Sequence, residues 1–159
     1  MIGVCFVCFA NVCRSPTAEA VFRQLAAQAG LAERFAIDSA GMGARAAGAP
    51  PDANCTETAR ARGVELVGSA RPFDPGDFGA FDYLVAVDGE NLQGLQSLAR
   101  GEQDRAKLRL LRDFDPAGER GADVPDPYQR GPGGFDELFD LTLAACRGLL
   151  EQLRREHDL

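Results

Sequence analysis

Residues Ile2 to Cys8 form an unbroken apolar run that stops at Cys8-Phe9-Ala10-Asn11-Val12-Cys13-Arg14-Ser15-Pro16, and this junction constrains the fold most. A run with no polar alternation reads as a strand buried on both faces, as in a parallel sheet covered by helices. From Ser15 the pattern changes. Thr17 to Ala26 is made mostly of good helix formers, with Ala18, Val21, Phe22 and Leu25 at helical spacing and Gly30 ending the run. Ser15 and Pro16 suit the cap and first position of that helix, with Glu19 in its first turn. The chain therefore opens as strand, tight loop, helix.

The same alternation continues. Phe35-Ala36-Ile37 reads as a second strand, Ser39 to Pro51 as a loop, and Asp52 to Arg62 as a helix closed by Gly63. Tyr83 to Val87 is a third strand, followed by a helix from Gly89 to Leu98, and Lys107 to Leu111 holds a short fourth strand. A long loop from Asp113 to Gly134 precedes a last helix, Phe135 to Arg154, with Leu138, Leu141, Ala145, Leu149 and Leu150 along one side. Strands alternating with helices predict an α/β fold: a four-stranded parallel sheet with helices on both faces. Length, and the lack of a repeat or linker, make residues 1–159 one domain.

Composition narrows the function. Net charge is −7 and Lys107 is the single lysine among 17 basic residues, so a nucleic-acid surface is not expected. An anionic ligand would be repelled by the overall field, and any affinity for it must be built locally. Met1 to Ala10 is too short to span a bilayer, which takes about 20 residues, and lacks the basic start of a secretory signal. Five cysteines at irregular spacing suggest no disulfide framework, and the only histidine, His157, lies in the tail, so no metal site is expected. A reducing cytoplasm suits such a chain.

In an open parallel sheet, ligands bind where strands end and helices begin. Residues 8 to 15 sit at such an end, where successive amides and a helix N-terminus form a concave anion receptor, a phosphate-binding loop after the first strand. Arg14 adds a planar fork able to hold two oxygens of a tetrahedral oxyanion. The same positive surroundings favour the thiolate of Cys8. Cys5, Cys55 and Cys146 read most simply as core or helix-packing residues. No GxxxxGK[ST] segment is present, which excludes a nucleotide loop of the Walker type.

At these residues the chain resembles the low-molecular-weight protein tyrosine phosphatases, whose signature V-C-x-G-N-x-C-R-S-P is matched by Val7 to Pro16. The resemblance continues through Thr17-Ala18-Glu19-Ala20, Ser39-Ala40-Gly41, Pro50-Pro51-Asp52, Leu110-Leu111-Arg112-Asp113-Phe114 and Asp123-Val124-Pro125-Asp126-Pro127-Tyr128. It implies hydrolysis of phosphotyrosine and aryl phosphates in two steps, with Cys8 forming a cysteinyl phosphate that water then cleaves. Arg14 and the amides of Phe9, Ala10, Asn11, Val12, Cys13 and Ser15 would hold the phosphate, with Asn11 and Ser15 keeping the loop in shape. Asp126 matches the general acid needed to expel a phenolate, whose conjugate acid has a pKa of about 10. Tyr128 and Phe9 would flank the aryl ring, and Cys13 would pair with Cys8 as a redox partner.

Four positions depart from the family pattern: Ala10 stands for a glycine, Arg45-Ala46 for an aromatic and a histidine, Gln129 for a second aromatic, and Gly68 for a supporting histidine. The two lost aromatics predict a weaker or more open grip on phosphotyrosine. By the resemblance, no cofactor is expected, the chain would be bacterial, cytoplasmic and monomeric, and its partners would be a phosphotyrosine protein and a tyrosine kinase, with no membrane. An arsenate reductase on the same fold and a non-catalytic phosphate-binding module are the alternatives. The former usually needs a later cysteine pair, and residues 56 to 145 contain none.

Overall fold

The computed structural model describes residues 1–43 and 45–159; Ala44, inside the loop expected from Ser39 to Pro51, lies outside them. Strands β1 (Ile2–Cys8), β2 (Phe35–Gly41), β3 (Tyr83–Ala86) and β4 (Leu108–Leu110) pair in parallel in the order β2-β1-β3-β4. The helices are α1 (Arg14–Gln28), α2 (Ala53–Ala61), α3 (Asp77–Ala80), α4 (Gly89–Leu98), α5 (Glu102–Arg105) and α6 (Gly134–His157). The expected sheet and its covering helices are present.

All seven residues of β1 are buried, as its unbroken apolar run requires. Val4, Phe6 and Cys8 face one cluster, shared with Phe22 of α1, Cys55 of α2 and Leu138 and Leu149 of α6. Cys5 and Val7 face the other, with Phe78 of α3, Leu84 of β3 and Leu95 of α4. Phe22 stacks edge-on to Phe35 with ring centroids 5.2 Å apart, and burial of such a ring stabilises the domain by roughly 2 kcal/mol. Strand order reverses between β1 and β3, so Cys8 at the end of β1 and Asp88 just past β3 flank the crevice where open α/β sheets bind ligands.

Three expectations are corrected. β2 runs on to Gly41, because pairing of Cys5 with Asp38 and Phe6 with Ser39 draws polar residues into the ladder. Helix α1 starts at Arg14 with Cys13 at its cap, and the Ser15 hydroxyl, expected there, is turned to the Cys8 sulfur instead. Helix α6 continues to His157. The one-turn helices α3 and α5 are too short to leave a periodic pattern. Asp52, by contrast, caps α2 as a helix N-terminus demands, accepting from Cys55 N at 3.0 Å.

Candidate active site

The Cys8 side chain lies at the floor of the loop between β1 and α1, with Cys8 only 3% exposed. Asn11 N donates to its Sγ at 3.2 Å, and Ser15 Oγ lies 2.9 Å away. Because Asn11 Nδ2 donates to Ser15 Oγ at 2.8 Å, the serine proton is free to point at sulfur. Two polar groups thus converge on one sulfur. Among the described residues, the amides of Ala10, Val12, Cys13 and Arg14 donate to no protein acceptor. These are donors available to an oxyanion.

Asn11 shapes this cradle. Its φ of 58° is left-handed, a conformation that asparagine tolerates better than most residues. Ala10 is not among the positive-φ residues, so the alanine in place of the family glycine carries no strain of that kind. Asn11 Nδ2 also donates to Ser39 Oγ at 3.0 Å, Ser39 Oγ donates to Glu19 Oε1 at 2.7 Å, and Arg71 N donates to Asn11 Oδ1 at 2.9 Å. Gly68, where the family has a histidine, sits at φ +90° beside a cavity of about 120 Å³ that Asn11, Glu19 and Ser39 also line. Support for the loop comes from Glu19 and Ser39 rather than from position 68.

Arg14 Nη1 donates to Asp88 Oδ2 at 2.7 Å and to the Val124 carbonyl at 3.1 Å, with both charged side chains largely buried. This ties the loop to the segment that carries Asp126. Arg14 and Asp126 line one cleft of about 580 Å³, together with Asp88, Arg112, Asp123 and Gln129. Asp126 Oδ1 accepts from Tyr128 N at 3.0 Å, which fixes its carboxylate at the start of a 3₁₀ turn over Pro127–Gln129. The prolines on either side limit the backbone further.

Phe9 and Tyr128 are more than half exposed. The Tyr128 hydroxyl donates to Asp52 and accepts from Asn54 Nδ2 at 3.3 Å, while its ring meets Phe135 edge-on at 5.0 Å. The bond to the Asp52 carboxylate pushes the phenol of Tyr128 above its ordinary range. Arg45 and Gln129 are exposed, and Gln129 lines the cleft with a polar side chain where the family has an aromatic ring.

Cys13 is corrected. It was expected to pair with Cys8, but the structure joins it to Cys55, with Cα atoms 5.7 Å apart. Cys13 caps α1, and Asp52 N donates to the Val12 carbonyl at 2.7 Å, which seats the start of α2 against the loop and brings Cys55 to Cys13. Cys55 is therefore more than a packing residue. Sequence reasoning also missed Asp88, Ser39 and Asp52 as parts of the site. Asp88 left a signal as a capping residue directly after an apolar strand at the ligand-binding edge, and Ser39 and Asp52 stand in segments that match the family.

An α/β domain whose first β–α turn cradles a thiol among free amides, with an arginine beside it, belongs to the class of proteins that bind phosphate-like oxyanions at a cysteine. The family model "Low molecular weight phosphotyrosine protein phosphatase" matches residues 3–159, and the chain belongs to that family. It is 44% identical to a low molecular weight protein-tyrosine-phosphatase of Streptomyces coelicolor, over 96% of this chain and 94% of the relative. The YfkJ phosphatase of the same description from Bacillus subtilis is 41% identical over 100% of both chains. A protein tyrosine phosphatase of Entamoeba histolytica superposes with a TM-score of 0.93 at 33% identity, covering 100% of each. The enzyme class expected from the sequence, protein tyrosine phosphatase, is the family's.

Proposed function

We propose that Cys8 is the nucleophile, Arg14 the phosphate-holding cation and Asp126 the general acid and base of a phosphotyrosine phosphatase. The observation that carries this reading is the Cys8 thiol, held by Ser15 and Asn11 N beneath amides that have no protein acceptor. The Cys8 thiolate attacks phosphorus, a P–S bond forms, and the P–O bond to the phenol breaks as Asp126 delivers its proton to the leaving oxygen. Water then loses a proton to the Asp126 carboxylate and attacks phosphorus, and the P–S bond breaks. The returning thiolate is met by the Ser15 hydroxyl. Arg14 and the amides hold the equatorial oxygens in both steps, which is where the transition-state charge lies. Exposed Phe9 and Tyr128 suit a flat aryl group presented by a protein.

Phosphate release from an aryl phosphate tests this. Cys8→Ser abolishes turnover, and Asp126→Asn slows substrates with poor leaving groups far more than activated ones. Equal rates for wild type and Cys8→Ser, or an equal loss across the leaving-group series, would refute the respective assignments. The Cys8 result also separates an enzyme from a module that only binds phosphate.

A further inference from the structure

Beyond the nucleophile lies a second pair of thiols at the site. We propose that Cys13 and Cys55 are a reversible redox pair whose oxidation fastens the phosphate-binding loop to α2 while leaving Cys8 outside the bond. The consequence for catalysis rests on Cys8 being the nucleophile; the pairing itself does not.

Geometry favours this pair over any other. The Cα separation of 5.7 Å lies inside the range that a disulfide spans. The Asp52 N to Val12 O hydrogen bond, between the residue before Cys13 and one three before Cys55, holds the two backbones together whether or not the sulfurs are joined. The bond therefore forms and breaks without a change of fold. Cys13 stands at the N-cap of α1 and Cys55 in the first turn of α2. The remaining thiols are joined to no other sulfur. Cys8 Sγ is engaged by Ser15 and Asn11, while Cys5 and Cys146 are buried, and burial pushes both thiols up, away from ionisation.

Asp52 also lies near the two sulfurs, within 4.8 Å. Its carboxylate already accepts from Cys55 N through one oxygen and from the Tyr128 hydroxyl through the other. That engagement favours a thiol pair over a three-ligand metal site. It also extends the effect of the bond, because α2, the Cys13 cap and the segment carrying Tyr128 meet at Asp52.

A small-molecule disulfide such as glutathione disulfide supplies the oxidising equivalents. One protein thiolate attacks a glutathione sulfur and expels one glutathione thiolate, giving a mixed disulfide. The second protein thiolate then attacks the protein sulfur of that bond and expels the other glutathione. Two protein thiols lose two electrons in total, glutathione disulfide gains them, and the two thiol protons end on two molecules of glutathione.

The full chain, reduced and desalted, is incubated with glutathione disulfide and followed by thiol titration, peptide mapping without reductant, thermal melting and aryl phosphate turnover. Titrated in denaturant after an acid quench, thiols fall from the five of the sequence to three, and a Cys13–Cys55 peptide appears. Melting rises by several degrees through the 42-residue closure, and dithiothreitol reverses every change. Turnover stays within about twofold of the reduced enzyme, because the nucleophile is free. Cys55→Ser shows normal turnover when reduced and neither the peptide nor the rise in melting. A Cys8–Cys13 peptide in the wild type, or five thiols left after prolonged incubation, would overturn the pair. A wild type that forms the pair but never turns over aryl phosphate would instead refute the catalytic reading, and the peptide map needs no activity to decide.

Discussion

Asn11→Ala tests the idea that one left-handed side chain holds the cradle. The substitution removes three side-chain hydrogen bonds, to Ser15 Oγ, to Ser39 Oγ and from Arg71 N. At about 1 kcal/mol each these come to roughly 3 kcal/mol. Alanine at φ 58° adds about 1 kcal/mol of backbone strain. Asn11→Gly loses the same bonds and is free of the strain, but gives up about half of that advantage to the greater freedom of the unfolded chain. The expected order is wild type, then glycine about 3–3.5 kcal/mol below it, then alanine about 4 kcal/mol below. Urea denaturation reads this as midpoint shifts on the order of 1 M or more at an unchanged slope. Turnover falls in both variants, since Ser15 loses the donor that aims its proton at Cys8. Alanine and glycine of equal stability, or both within about 1 kcal/mol of wild type, would refute the reasoning.

Three further outcomes are expected. A Cβ at Gly41 would lie 2.6 Å from the Phe9 carbonyl and 3.0 Å from Asn11 Cβ, so Gly41→Ala destabilises by about 1–3 kcal/mol and cuts kcat about tenfold or more by shifting the loop; unchanged melting and kcat would speak against that contact. Cys5 and Cys146 resist maleimide at pH 8 in the native chain and react once it is unfolded, because burial keeps both protonated; rapid native labelling, located by mass spectrometry, would contradict this. The hydrogen bond from Tyr83 holds the Glu156 carboxylate below its ordinary value of 4.5. A carboxylate depressed in the folded state contributes stability above that value and loses it as pH falls through the lower, folded one. Tyr83→Phe therefore flattens the loss of stability below pH 4.5, and parallel stability curves for variant and wild type would count against the coupling.

Local pattern was enough wherever a residue's role depends on its neighbours in the chain. The buried strand β1, helix α4 from Gly89 to Leu98 and the Asp52 cap of α2 are legible because propensity, capping and burial agree there. Ser15 was misplaced as a helix cap for the opposite reason: the competing partner, Cys8 Sγ, is seven residues away around a loop whose shape no local rule specifies. The polar end of β2 was hidden because strand pairing, not residue type, holds Asp38 and Ser39 in the ladder.

The opening junction by itself determined that a buried parallel strand runs into an anion-receiving loop and a helix, with Cys8 and Arg14 in it. Hydrophobic patterning and helix signals are short-range, so they survive in the linear chain. Tertiary structure alone decided which groups meet that loop. Asp88 reaches Arg14 across the reversal of strand order, Ser39, itself held by Glu19, meets Asn11 from β2, and Cys55 takes Cys13 from the expected partner. These contacts join residues 20 to 74 positions apart. Their partners are chosen by how the sheet and helices pack, which no local stretch of sequence records.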